Sequence, residues 1–101
     1  MDDLSIAKEI QNQLFHFGKE KVWSWGAHSY EGGENSLQFK VQGYKLKGSV
    51  HITLNGSDLY DIVFKNVNGG IVKTLNDIYC DLMVELIDNE VETDIGKYSN
   101  E

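Results

Sequence analysis

Arginine and proline are missing from these 101 residues, and cysteine occurs once, at Cys80. Arginine is the side chain that forks onto phosphates and guanine edges. Its absence, in a chain whose formal net charge is −7, argues against direct binding of nucleic acid. A lone thiol excludes an intramolecular disulfide framework and fits a reducing compartment. Without proline, the turns fall to the ten glycines. No apolar run approaches the ~20 residues that span a membrane. The stretch MDDLSIAKEI is acidic and amphipathic, unlike a secretory signal. A cytoplasmic protein that does not contact membranes is the expectation.

Chemical motifs are equally scarce. There is no P-loop, no GxGxxG, no HExxH and no CxxC. His16, His28 and His51 share no metal-ligand spacing with one another or with Cys80. No serine or cysteine is placed as a nucleophile. The expectation is a chain without catalysis, metal or cofactor.

What is present supports a packed core. Hydrophobic residues make up 41% of the chain and aromatics 11%, enough for one domain. Residues 1–92 read as a single α+β domain and 93–101 as a solvated tail. Thr74–Val91 carries Leu75, Ile78, Tyr79, Leu82, Met83, Leu86, Ile87 and Val91 at three- and four-residue steps, the stripe of an amphipathic helix. Thr74 and Asp77 read as its capping box. Residues 4–17 form a first helix on Ile6, Ala7, Ile10, Leu14 and Phe17, with Gly18 just past its end.

Between the helices the period changes to two. Lys21–Ser29 alternates and reads as a first strand, with Trp23, Trp25 and Ala27 on one face. Leu37–Gly43 and Lys45–Leu54 alternate most clearly. A two-residue loop at Gly43-Tyr44 would pair Val41 with Leu46, Phe39 with Gly48 and Leu37 with Val50. Leu59–Val67 follows after a three-residue loop, which pairs Ile52 with Tyr60 and Val50 with Ile62. Ile71–Lys73 could add a short strand. The expected architecture is α-β-β-β-β-α, an antiparallel meander with both helices on its apolar face. The other face, open to water, would carry Gln38, Lys40, Gln42, Lys45, Lys47, Ser49, His51, Thr53, Asp61, Val63 and Lys65.

Three surfaces on this scheme are candidates for contact. In the expected register Lys40 stands across from Lys47, and Lys47 across from Lys65, like-charge pairs that cost up to ~1 kcal/mol each. Such a row suits an acidic or phosphorylated partner, although a solvated face is the simpler account. Asp77, Asp81, Glu85 and Asp88 would share one helix face. At 1.5 Å rise they give one charge per ~4–5 Å, far sparser than duplex DNA at ~1.7 Å, so solubility explains them better than nucleic-acid mimicry. Trp23 and Trp25, with Tyr30 and Tyr44, could form an aromatic platform or close one end of the core. His51 would sit across from Asp61 as a hydrogen-bonded pair. Cys80 reads as a small hydrophobe beside the stripe.

Trp23-Ser24-Trp25-Gly26, Leu37–Gly43, Gly48–Ile62 and Ile78–Asp88 together resemble small, acidic, uncharacterised bacterial proteins encoded by phages and other mobile elements. The resemblance covers roughly residues 20–92 and implies a cytoplasmic accessory or host-interaction role, with no site to carry over. The functional expectation is therefore a protein–protein interaction module whose association depends on salt or concentration. The alternative is a small-ligand binder or minor enzyme using His51 and Asp61 on the open face. Oligomeric state is not legible in the residues.

Overall fold

Alternation along the central strands dictates the layout, since one face of each must be taken out of water. The computed structural model describes residues 4–43 and 46–91. In chain order it has helix α1 (Ser5–Ser24), strands β1 (His28–Gly32), β2 (Ser36–Gln42), β3 (Lys47–Leu54), β4 (Tyr60–Asn66) and β5 (Ile71–Ile78), a short 3-10 turn (Cys80–Leu82) and helix α2 (Met83–Val91). The strands form one antiparallel sheet in the order β1-β2-β3-β4-β5. This is the expected α+β meander, with both helices contributing to one core. That core joins Ile10, Leu14, Val22 and Trp25 of the α1 segment to Leu37, Phe39, Val41, Val50, Ile52, Ile62 and Phe64 of the sheet and to Met83 and Ile87 of α2.

The polar alternates of β2, β3 and β4 are half-buried or exposed. Sidedness is thus as read from the sequence, but the register is not. Phe39 pairs with Val50 and Leu37 with Ile52, while Ile52 pairs with Ile62 and Val50 with Phe64. Both ladders are displaced from the expected ones by two residues, which keeps every side chain on its face. The cause at β3–β4 is a wider loop. Asn55 Oδ1 accepts from the N–H groups of Ser57 (2.8 Å) and Leu59 (3.2 Å), and the Asn55 N–H donates to Leu59 O at 2.8 Å. That Asx turn encloses residues 55–59, with Asp58 at φ 63°. At β2–β3, the Gly43 N–H donates to Leu46 O at 3.0 Å; Tyr44 and Lys45, and with them the expected two-residue loop, lie outside the described residues. So does the expected tail.

Two elements differ in kind. Lys21–Ser24 completes α1 and is not a strand. The run Lys19-Glu20-Lys21 favours helix, and helical geometry buries Val22 and Trp25, three apart, on one side. The helix breaks locally at Gly18 (φ −170°, ψ 58°), where the first turns were expected to end. Gly26 at φ 66° then turns the chain into β1.

The expected helix start at Thr74 lies inside strand β5 instead. Ile71, Val72 and Thr74 are β-branched and extend readily. A tight turn folds them back on β4, with Asn66 Oδ1 accepting from the N–H groups of Asn68 and Gly70, both at 3.0 Å, and Gly69 at φ 88°. Leu75 pairs with Ile62 and Ile78 with Tyr60, so three residues on β5 span two on β4. The bulge passes through Asp77 at φ 58°. It brings residues three apart onto one strand face, which imitates a helical step in the sequence. Thr74 and Asp77 therefore cap nothing.

Candidate interaction surface

Pairing across the sheet sets the residues of the open face in rows. His28, Lys40, Ser49, Lys65 and Ile71 follow one another from β1 to β5. Glu31, Gln38, His51, Val63 and Thr74 make the next row, and Gln42 faces Lys47 at one end. Strands lie about 4.8 Å apart, so Lys40 and Lys65 stand about 10 Å from each other with Ser49 between them. Neither expected lysine pair forms: Lys40 faces Ser49, and so does Lys65. Lysines placed two strands apart avoid the like-charge contact that the shorter loops would have imposed.

His51 and Asp61 are likewise separated. His51 faces Val63 and Asp61 faces Thr53. The His51 ring lies 3.3 Å from Ser49 Oγ through Nε2. Partial burial, and secondarily the Lys65 ammonium, lower its pKa, while Glu31 acts in the opposite sense. Asp61 belongs to the end of the sheet, where its Oδ1 accepts from Asn55 Nδ2 at 3.1 Å and from the Asp77 N–H at 3.1 Å. A carboxylate occupied in this way serves the bulge.

The tryptophans do not form a platform. Because residues 21–25 wind as a helix, Trp23 and Trp25 point in different directions. Trp23 is 64% exposed, with Lys19 Nζ 5.2 Å from its ring centroid. Trp25 is buried, lies parallel to Phe39 at 6.4 Å between centroids, and donates its indole N–H to Asp88 Oδ1 at 2.9 Å. Tyr30 packs against the same Phe39 at 5.3 Å, and its burial raises the phenol pKa. The expected acidic helix face is also dispersed. Asp77 is on β5, Asp81 in the 3-10 turn, and only Glu85 and Asp88 on α2. Asp88 further pairs with Lys21 at 3.7 Å.

Sequence reasoning missed the outer edge of the sheet. Among the described residues, β5 has a neighbour on one side only. Ile71 is 66% exposed, Val72 49% and Val67, in the preceding turn, 76%. The sequence allows a short strand at Ile71–Lys73, but starting a helix at Thr74 hides the length of this edge, although three β-branched residues in four at Ile71–Thr74 are a usable signal.

Two depressions stand out on the surface of the described residues. A groove of about 620 Å³ on the open face is lined by His28, Lys40, Lys47, Ser49 and Asn66, with Val67 at its lip. A smaller cleft of about 340 Å³ is lined by Glu9, Gln13, Tyr60, Tyr79 and Cys80. None of the three histidines lines this second cleft, so the thiol has no imidazole base there. No group of three or more metal-ligating side chains occurs among the described residues, and no helix among them is long and apolar enough to cross a membrane. Comparison with protein-family models, with curated proteins and with solved structures returns no match.

Proposed function

We propose that this chain is a non-catalytic protein-interaction module, acting in the cytoplasm in the accessory or host-modulating role that the resemblance to mobile-element proteins implies. The observation that carries the reading is the β5 edge. Its backbone is unpaired on one side among the described residues, and Ile71 and Val72 expose apolar surface beside it. Edges of this kind are normally blunted by charge or covered, and Lys73 is the only cation on the strand. An extended apolar segment of a partner protein would add a strand here, with main-chain hydrogen bonds giving affinity and alternate side chains giving selectivity. The alternative use of His51 with Asp61 draws no support from the pairing, which sets Val63 and Thr53 opposite them.

The test is affinity capture from bacterial lysate with the wild-type chain and with Ile71→Lys/Val72→Lys. Both positions are exposed, so the variant keeps its core. A protein retained in stoichiometric amount by the wild type and lost from the variant is the expected result. Capture of nothing at low salt, or of the same proteins by both chains, would count against the reading.

A further inference from the structure

The groove on the open face has a chemistry separate from that of the β5 edge. Among the described residues its lining contains no aspartate or glutamate, in a chain with 16 acidic residues and nine basic ones. Every polar side chain that faces it offers a donor. Lys40 has no ion-pair partner among the described residues, whose two ion pairs are Lys21–Asp88 and Lys73–Glu90. Lys47 Nζ donates to the Gly43 carbonyl, at 3.4 Å, and to no carboxylate among the described residues. Among the described residues, the nearest acid in the paired rows of the face, Glu31, lies one row away and accepts from Gln38 Nε2 at 3.0 Å.

The neutral donors are oriented by their own contacts. His28 Nδ1 shares a hydrogen bond of 2.9 Å with Ser29 Oγ, which leaves Nε2 for the groove. Ser29 stands at φ 57°, inside the irregularity that separates the His28 and Glu31 pairings. Bulges of this type re-aim a side chain next to functional sites. Asn66 Oδ1 is occupied by two backbone N–H groups of its turn, so the amide presents Nδ2 as its remaining group.

We propose that this groove binds a small molecule bearing a phosphate monoester. Lys40 and Lys47 neutralise the dianion, while His28 and Asn66 donate hydrogen bonds to its terminal oxygens, joined by Ser49 when His51 Nε2 donates to the Ser49 hydroxyl. The rest of the ligand lies over Val67 and the turn at Gly69. Two cations and several neutral donors match a dianion with three terminal oxygens better than a carboxylate, which has one charge and two oxygens. The groove, at about 620 Å³, falls within the size range of small-ligand sites.

The test is a two-dimensional ¹⁵N–¹H titration of the full chain with phenyl phosphate, and with benzoate as the monoanionic control of similar shape. Phenyl phosphate is expected to shift the amides of Lys40, Lys47, Ser49 and Asn66 along a saturable curve. Benzoate is expected to bind at least tenfold more weakly. Lys40→Gln and Lys47→Gln should each weaken phenyl phosphate about tenfold, whereas Lys8→Gln, on an exposed position of α1, should not. All are surface substitutions, and an unchanged amide dispersion verifies the fold. Equal affinity for benzoate, a linear response without saturation, or unaltered binding by Lys40→Gln and Lys47→Gln would overturn the proposal. Ile71→Lys/Val72→Lys separates this site from the partner edge, since loss of protein capture leaves phenyl phosphate binding in place.

Discussion

The indole N–H of Trp25 donates to Asp88 Oδ1 at 2.9 Å across 63 residues of chain, joining the end of α1 to α2. The other carboxylate oxygen lies 3.7 Å from Lys21 Nζ. Trp25 is fully buried, so its N–H has no water to fall back on. Removing the acceptor with Asp88→Leu should cost about 1–3 kcal/mol, the usual effect of a buried unsatisfied donor. Asp88→Asn keeps an oxygen in place and should cost less than about 1 kcal/mol. Urea denaturation of the two variants checks this, and equal losses would show that the hydrogen bond is not what the carboxylate supplies.

A second constraint lies where α1 breaks. Gly18 has φ −170°, an extended value open to any residue, so its role is space rather than conformational freedom. A Cβ there would overlap Val84 Cγ1 and lie 3.3 Å from Val84 Cβ. Gly18→Ala is expected to destabilise by about 1–3 kcal/mol through overpacking. Val84→Ala opens that space, so the double variant should be more stable than the sum of the single losses by about 0.5–3 kcal/mol. Strict additivity in a double-mutant cycle would remove the contact as the cause.

These two sites show which features were legible in the residues. Which side of β2, β3 and β4 faces the core was readable from alternation, because a displacement of two residues leaves every side chain on its face. Pairing across the sheet was not, because it depends on loop length. The Asn55 side chain closes a longer loop than the Asn-Gly-Ser signal suggested. That difference moved His51 off Asp61 and Lys47 off Lys65. Helix against strand failed where a local device altered the period. The bulge at Asp77 gives Leu75 and Ile78 one strand face, and the helical turn at Lys21–Ser24 sends Trp23 and Trp25 apart. The groove was half visible. Lys40 and Lys47 were named, but His28 and Asn66 reach it only through a bulge and a turn.

The separation of the tryptophans has a spectroscopic consequence. Trp23 is 64% exposed whereas Trp25 is buried, so acrylamide should quench two populations in the wild type. Trp23→Phe is expected to leave one blue-shifted, weakly quenched emission. Trp25→Phe should leave one red-shifted and freely quenched, at a cost in stability from the lost Asp88 bond. Uniform quenching in the wild type would contradict the helical path of residues 21–25.

His51 ties the open face to pH. Its pKa lies below the unperturbed 6.5, chiefly because partial burial disfavours the imidazolium and secondarily because the Lys65 ammonium repels it, with Glu31 opposing both. Ser49 and Gln38 are its uncharged neighbours on the face, and Val63 stands across on β4. A base whose folded pKa is depressed binds fewer protons folded than unfolded, so stability rises with pH between the two values. Its contribution is complete above about pH 6.5 and is lost as pH falls through the folded value. Histidine C2-proton titration should place the His51 midpoint below 6.5. Lys65→Gln should raise that midpoint and Glu31→Gln lower it further. His51→Gln should flatten the loss of melting temperature as the pH falls below 6.5, and a variant that melts in parallel with the wild type across that window would show that His51 does not carry the dependence.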